Sequence, residues 1–179
     1  MLPGTKPQRK STFALAEIVL SVAVLTVLAG FTVHMLICAK NNNAKSYDLY
    51  KGMSHAINVI EAIKGVPHPE VLSEEDFEPG AVLSGNENGF VLSMYFDKTW
   101  APIPSTGSQP QPCYSVKAEV MPSETAAKYA DSSSQTYDIK VCVLRLMPYV
   151  LEKHKQSEIL VIETLKCYMA FAIPEGMMQ

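Results

Sequence analysis

One stretch near the N-terminus constrains the fold more than any other part of this 179-residue chain. Residues 18–39 are 22 consecutive residues without a formal charge. As an α-helix they would span about 33 Å at about 1.5 Å per residue, close to the roughly 30 Å hydrocarbon core of a bilayer. A helix in the core of a globular domain rarely stays apolar on every face for this length. The stretch therefore predicts a transmembrane helix over residues 13–39.

A single carboxylate, Glu17, stands near the start of this stretch. A charged side chain costs about 2.5–3.5 kcal/mol at the centre of a membrane helix on insertion scales, and less near the interface. One interpretation is that Glu17 reaches the lipid headgroups as an ordinary interfacial residue. The other is that its charge has a function, and the residues around it favour this second interpretation.

The twelve residues before the apolar stretch form a short leader with three basic residues, Lys6, Arg9 and Lys10. An ordinary secretory signal has an apolar region of about 7–15 residues and a small-x-small cleavage site, whereas this run is longer and no convincing site follows it. A lipoprotein signal needs a small residue before its cysteine, and Ile37 precedes Cys38 here. Cleavage before the apolar run, which leaves that run in the mature protein, is the third possibility.

Residues 10–17, KSTFALAE, followed by the apolar run, resemble the N-terminus of type IV pilins and pseudopilins. The resemblance is strongest to divergent minor pseudopilin-like proteins of Gram-positive bacteria. In that family a prepilin peptidase removes a basic leader, Phe commonly opens the mature chain, and Glu stands at its fifth position. Phe13 and Glu17 fall on these two positions. The residue before the cleaved bond is usually Gly in the family and is Thr12 in this chain.

The resemblance implies processing between Thr12 and Phe13, often followed in relatives by methylation of the new amine. It also implies assembly through the apolar helix, with Glu17 paired to the N-terminal amine of a neighbouring subunit. In a low dielectric such pairing offsets part of the cost of burying both charges. The implied partners are the prepilin peptidase, other pilin-like subunits and the membrane. The sequence does not show whether the protein functions in type II secretion, in DNA uptake or in adhesion.

A second, amphipathic helical segment is predicted over residues 40–65 as a continuation of the first. Its apolar residues recur at spacings of three or four, while charged residues such as Asp48 are expected on other faces. The predicted packing stripe consists of Tyr47, Tyr50, Met53, Ile57, Ile60 and Ile63. Gly65 and Pro67 are expected to end the helix.

The remaining residues, 66–179, are predicted to form a β domain. Four segments are rich in β-forming residues or alternate apolar and polar positions, namely residues 90–96, 113–120, 137–146 and 159–171. Residues 66–89 contain several prolines and are predicted to be irregular, with one short helical turn capped by Ser73. An antiparallel meander needs one covered face, which the amphipathic helix supplies. The expected fold class is α+β, a long N-terminal helix packed on a small antiparallel sheet, and by resemblance it is pilin-like.

Composition and motifs predict neither an enzyme nor a nucleic-acid-binding protein. The net charge is −3, no basic patch with interleaved aromatic residues appears, and no nucleophile elbow, phosphate loop or metal-ligand spacing is present. No cofactor and no small-molecule substrate are expected. Trp100 is predicted to serve in packing. His34, inside the apolar stretch, is either a polar contact between helices or a residue near the headgroups.

The four cysteines show no C-x-x-C spacing, so the sequence argues against a zinc site. One disulfide is compatible with an extracytoplasmic domain, and the sequence does not choose its pair. The candidates are Cys113, Cys142 and Cys167.

The favoured hypothesis is a minor pilin- or pseudopilin-like subunit, anchored in the cell membrane by a single span. Basic residues are equally numerous on both sides of that span, so charge counting leaves the orientation open. The resemblance implies a cytoplasmic N-terminus and an extracytoplasmic β domain. A second hypothesis is an uncleaved, membrane-anchored extracytoplasmic binding protein that forms no filament. A third is a binding module whose ligand site lies in the proline-rich loop around Trp100.

Overall fold

A computed structural model of the chain describes residues 8–67, 71–86, 89–104, 111–124, 134–150, 152 and 157–169. It confirms the predicted α+β class: a long N-terminal helix is packed against a five-stranded antiparallel sheet. A short 3₁₀ turn, Glu74–Asp76, lies between helix and sheet at the position predicted for a Ser73-capped turn. The main elements are α1 (Gln8–Gly65), β1 (Val82–Asn86), β2 (Gly89–Phe96), β3 (Tyr114–Pro122), β4 (Ser134–Arg145) and β5 (Ser157–Met169).

The chain forms two compact units, Met1–Ala44 and Lys45–Gln179. The first contains the N-terminal part of α1, and the second contains the last part of α1 and the sheet. In the first unit α1 includes a segment long and apolar enough to cross a membrane, by length and composition, and none of that segment is buried within the protein. This segment is a candidate membrane anchor.

The sheet is a meander in which each strand pairs with the next along the chain. Four strands lie where the sequence predicts them, although β4 begins at Ser134 rather than Tyr137. The strand β1 was not predicted, because its residues after Val82 and Leu83 are Ser, Gly and Asn, which have weak β propensity. Its pairing with β2, from Val82 opposite Ser93 to Asn86 opposite Gly89, creates the strand through a hairpin.

The helix face that packs on the sheet differs from the predicted stripe. The buried residues of this face follow a spacing of three or four and are Asp48, Gly52, Ala56, Val59 and Ile63. Of the predicted stripe, only Ile63 is fully buried and Ile60 half-buried, whereas Tyr47, Tyr50, Met53 and Ile57 are exposed. The prediction was therefore wrong about most of the stripe.

Close approach of the helix backbone to the sheet explains which face is buried. A Cβ atom placed on Gly52 would lie 3.0 Å from Val143 Cγ1 and 3.5 Å from the Trp100 ring. Small residues at Gly52 and Ala56 therefore let the helix sit where larger side chains do not fit. The periodicity of large apolar residues predicted a different buried face of the helix, because it depends on hydrophobicity and takes no account of the space between helix and sheet.

The core lies between this helix face and the inner face of the sheet. Alternate residues of β2, β3 and β4 point into it. They are Phe90, Leu92, Met94 and Phe96 from β2, Tyr114, Val116, Ala118 and Val120 from β3, and Tyr137, Ile139, Val141 and Val143 from β4. Apolar area removed from water is worth about 25 cal/mol per Å². The burial of these side chains therefore stabilises the fold of the second unit.

Side chains of β5 hold the C-terminal end of α1. Tyr168 Oη donates a hydrogen bond of 2.7 Å to the carbonyl of Ile63, and Lys166 Nζ donates one of 2.9 Å to the carbonyl of Lys64. The last four carbonyls of a helix have no partner within the helix, so these bonds cap the end of α1. The lysine charge also interacts favourably with the negative end of the helix dipole.

Candidate functional site

The residues predicted for processing and assembly all lie in the N-terminal part of α1. Phe13 and Glu17 are four residues apart, which places them on the same side of the helix, and both are exposed. The helix begins at Gln8, five residues before the predicted start at Phe13. The bond between Thr12 and Phe13 therefore lies within the helix rather than in an extended leader.

Large apolar side chains cover the surface of α1 throughout this part of the chain. Phe13 is 80% exposed, and at least half of the surface of each of the other residues is also exposed. An apolar surface of this extent is stable only when lipid or other protein covers it. These exposed residues include Phe13, Leu15, Ile18, Val19, Leu20, Val22, Val24, Leu25, Val27, Leu28, Phe31, Val33, Met35 and Leu36.

Four polar side chains of the apolar segment make contacts within their own helix. The hydroxyls of Thr26 and Thr32 donate hydrogen bonds of 2.8 Å to the helix carbonyls four residues earlier, so they are satisfied locally. His34 and Cys38 instead contact each other, with 3.6 Å between Nε2 and Sγ, and both are exposed.

A buried carboxylate in the second unit accepts hydrogen bonds from three different residues. Asp48, on the buried face of α1, is only 2% exposed. Its Oδ1 accepts a 2.8 Å hydrogen bond from Tyr114 Oη, and its Oδ2 accepts one of the same length from Tyr149 Oη. Arg145 Nη1 donates to Oδ2 as well and forms an ion pair with it. We call these four residues the Asp48 centre.

The arginine of this centre makes several contacts besides its ion pair. Arg145 Nη1 also donates to Tyr114 Oη at 3.0 Å, and Nε donates to the Met147 carbonyl at 2.7 Å. The guanidinium carbon lies 4.0 Å from the centroid of the Tyr149 ring, a cation–π contact. The carboxylate and the guanidinium thus meet the requirement that a buried ion pair be hydrogen-bonded as well as paired.

The electrostatics of the centre keep both tyrosines protonated. Burial raises the pKa of Tyr114 and of Tyr149 well above the ordinary value of about 10, and the hydrogen bonds to Asp48 raise each further. Both hydroxyls are therefore donors at neutral pH. The Asp48 carboxylate is buried and bound by three protein donors, so the Asp48 centre joins α1 to β3, to β4 and to the segment after β4.

Sequence reasoning missed this centre because it placed Asp48 on a solvent face. The available signal was the spacing of Asp48 with Gly52 and Ala56, small residues that recur every four positions and indicate close helix packing. An acidic residue in line with such a stripe needs donors on the element that it meets. Those donors come from residues 66 to 101 positions away in the sequence.

A group of stacked aromatic rings lies beside the centre. The Trp100 ring stacks on Tyr114 with 4.0 Å between centroids, and on His55 at 5.4 Å. His55 Nδ1 lies 2.8 Å from Glu78 Oε1. Trp100 is 5% exposed, which agrees with the predicted packing role, and its Nε1 has no hydrogen-bond partner among the residues that the structure describes.

A tight turn presents this tryptophan to the core. Trp100 has a φ of 65°, in the left-handed region that non-glycine residues rarely adopt. Asp97 Oδ1 accepts hydrogen bonds from the backbone nitrogens of Thr99 and Ala101, at 2.7 and 3.0 Å. The side-chain hydrogen bond from Thr99, and then these backbone bonds, lower the pKa of Asp97. The turn therefore stabilises a backbone conformation that the tryptophan alone disfavours.

The three cysteines considered for a disulfide are free thiols in the structure. Cys113 lies beside Leu146, four residues beyond Cys142, and Cys142 is opposite Val161, six residues before Cys167. At roughly 3.3 Å per residue these offsets exceed the Cα separation of about 7 Å that a disulfide tolerates. Burial also raises the pKa of the Cys142 thiol.

Within the described part of a single chain, no group of three or more His, Cys, Asp or Glu side chains is placed to hold a metal ion. A depression of about 540 Å³ lies over β4 and β5 and is crossed by the Lys140–Glu163 ion pair. Comparison of the chain with protein-family models, curated proteins and solved structures finds no match. The site's own geometry and the N-terminal pattern therefore carry the functional argument.

Proposed function

We propose that this chain is a membrane-anchored pilin- or pseudopilin-like subunit that assembles through the N-terminal part of α1. The proposal rests on the difference between the two parts of this helix. Its first part is apolar and exposed on all sides, whereas residues from Asp48 to Ile63 present a specific face to a sheet. A helix of this kind offers one part to lipid or to neighbouring subunits and uses the other to carry a folded domain.

Glu17 would supply register during assembly. When apolar helices pack side by side in lipid or in a filament core, an unpaired carboxylate keeps its desolvation cost. A neighbouring subunit whose chain starts at Phe13 would bring a positive α-amine to that carboxylate. Only the register that pairs the two charges removes the penalty, so the pair selects one axial offset between subunits.

The proposed location is the cell membrane, with one span, a cytoplasmic N-terminus and an extracytoplasmic β domain. The partners would be a prepilin peptidase and other pilin-like subunits. These assignments rest on the resemblance of residues 10–17 to the family and on the candidate membrane anchor.

Intact-mass measurement of the protein extracted from membranes tests processing directly. The proposal expects a mature chain that begins at Phe13, with or without a methyl group on its amine. A chain that retains Met1, in a host with an active prepilin peptidase, would contradict the proposal as stated.

A substitution at Glu17 tests the assembly step separately. Glu17→Gln removes the charge with little change in shape, so we expect loss of cross-linked or sedimentable assemblies with normal membrane insertion. Glu61→Gln, on an exposed position of the same helix, is the matched control and should assemble normally. Equal assembly by both variants would remove the pairing role from Glu17.

A second candidate function has a specific observation in its favour. The bond between Thr12 and Phe13 lies inside α1, and Thr12 replaces the Gly that the family prefers. An uncleaved, membrane-anchored extracytoplasmic binding protein that forms no filament would have no need for an accessible bond there. The intact mass separates the two candidates.

A further inference from the structure

His34 and Cys38 form a pair of metal-binding side chains that the proposed function does not use. They are four residues apart on α1, so they project from the same side of the helix. Both are exposed. The nearest residues with a formal charge along the chain are Glu17 and Lys40, so the pair lies in an otherwise uncharged stretch.

The distance within the pair matches two ligands of one zinc ion. Tetrahedral Zn²⁺ has a Zn–S bond of about 2.3 Å and Zn–N bonds of about 2.0–2.1 Å, which hold the two ligand atoms about 3.5–3.6 Å apart. Cys38 Sγ and His34 Nε2 are 3.6 Å apart. The pair therefore has the ligand-to-ligand separation of a half-site.

We propose that His34 and Cys38 from two copies of this chain bind one Zn²⁺ between their apolar helices. One chain supplies two ligands, and a closed structural zinc site needs four. A second copy related by a two-fold axis supplies the same two, giving a Cys₂His₂ site. The site is incomplete in one chain, which is consistent with the lack of a three-residue cluster in its described part.

Charge balance favours this ligand set in an apolar environment. Two thiolates neutralise the two charges of Zn²⁺, and the two imidazoles are neutral, so the complex carries no net charge. Formation releases one proton from each thiol, two per metal ion. The complex would replace the contact between Cys38 and His34 with stronger metal–ligand bonds.

The helix surface beside the pair allows two copies to approach. Gly30 lies one turn before His34, and a Cβ placed on it would meet nothing within 4 Å. Small residues at helix interfaces in membranes bring backbones close together. The threonine hydroxyls of the segment are bonded to their own helix and do not compete for the metal.

Cobalt substitution in the full-length protein tests the site. The protein is purified in detergent micelles, reduced with a thiol-free phosphine, freed of metal and titrated with Co²⁺. We expect the visible and near-ultraviolet absorption of tetrahedral, thiolate-bound cobalt to saturate at one ion per two chains. Addition of Zn²⁺ should remove this absorption, and metal should convert monomers in micelles to dimers.

Three variants identify the ligands. Cys38→Ser should abolish the thiolate absorption, and His34→Ala should weaken Zn²⁺ binding by about tenfold or more. Cys167→Ser removes another exposed thiol and should leave binding unchanged. Trp100 fluorescence serves as the check that each variant keeps its folded second unit.

Several results would overturn the zinc site. They are absence of the cobalt spectrum, its survival in Cys38→Ser, saturation at one ion per chain, or a dimer held only by a Cys38 disulfide. The inference goes beyond the proposed function and needs only two adjacent copies in a membrane. Loss of assembly in Glu17→Gln with an intact cobalt site, or the reverse, distinguishes failure of one from failure of the other.

Discussion

Replacement of Asp48 by alanine should destabilise the second unit more than any replacement of a surface carboxylate. The substitution leaves the Arg145 guanidinium without its ion pair and removes the shared acceptor of two tyrosine hydroxyls. Removal of one partner from a buried ion pair costs about 3–5 kcal/mol, because the remaining charge stays desolvated. Asp48→Asn keeps one acceptor oxygen and should cost less.

Urea unfolding of the full-length protein in micelles measures this effect. Trp100 is the single tryptophan and is buried beside the Asp48 centre, so its fluorescence reports unfolding of the second unit alone. With an m-value of about 2 kcal/mol per molar urea, the expected loss corresponds to a midpoint lower by about 1.5–2.5 M. Asp138→Ala, at an exposed position of β4, is the matched control and should change stability by no more than about 0.5 kcal/mol.

A double substitution separates the ion pair from simple packing. Asp48→Ala combined with Arg145→Met removes both charges, so the doubly substituted protein should be more stable than Asp48→Ala alone. Two results would exclude a stabilising ion pair. One is an Asp48→Ala variant as stable as the Asp138→Ala control. The other is a double variant whose loss of stability equals the sum of the losses in the two single variants.

Three further predictions concern packing, pH and the tryptophan turn. Gly52→Ala should lower the free energy of unfolding by up to about 2 kcal/mol, because overpacking outweighs the gain in helix propensity of about 1 kcal/mol. Gly65→Ala, where an added Cβ meets nothing within 4 Å, should be neutral or stabilising in the same urea assay. Since the folded pKa values of Tyr114 and Tyr149 are raised, the contribution of both hydroxyls to stability is complete below about pH 10 and should be lost as pH rises further. The melting temperature should therefore fall at alkaline pH, and it should fall less steeply in Tyr149→Phe. Because the pKa of Asp97 is lowered in the folded state, its carboxylate stabilises the fold above about pH 3.9, and this stabilisation is lost as pH falls through the folded pKa. Asp97→Ala should therefore make the melting temperature depend less on pH on the acid side. An unchanged dependence would exclude this role.

The strands and the long helix could be predicted because their signals are local. Alternation of apolar and polar residues marks β3 and β4, and the uncharged length of residues 18–39 marks the apolar helix whatever surrounds it. The missed strand β1 shows the limit of this approach. Its pairing with β2, and not its own composition, makes Val82–Asn86 a strand.

The choice of helix face needed information that periodicity does not contain. Tyr47, Tyr50 and Met53 are more hydrophobic than Gly52 and Ala56, yet the small residues face the sheet because only they permit its close approach. The same contact carries Asp48 into the interior. A sequence pattern that ranks residues by hydrophobicity assigns that aspartate to solvent.

The sequence by itself determined that the chain has an apolar N-terminal helix with a carboxylate at its start, followed by a helix-covered antiparallel sheet. These features follow from residue composition and spacing within one element, and they depend only on interactions between residues that are close in the sequence. Only the tertiary structure decided that Asp48 is buried, because its partners Tyr114 and Tyr149 are 66 and 101 residues away. Such partners meet only in the tertiary structure, and the energy of burying a charge depends on whether they do.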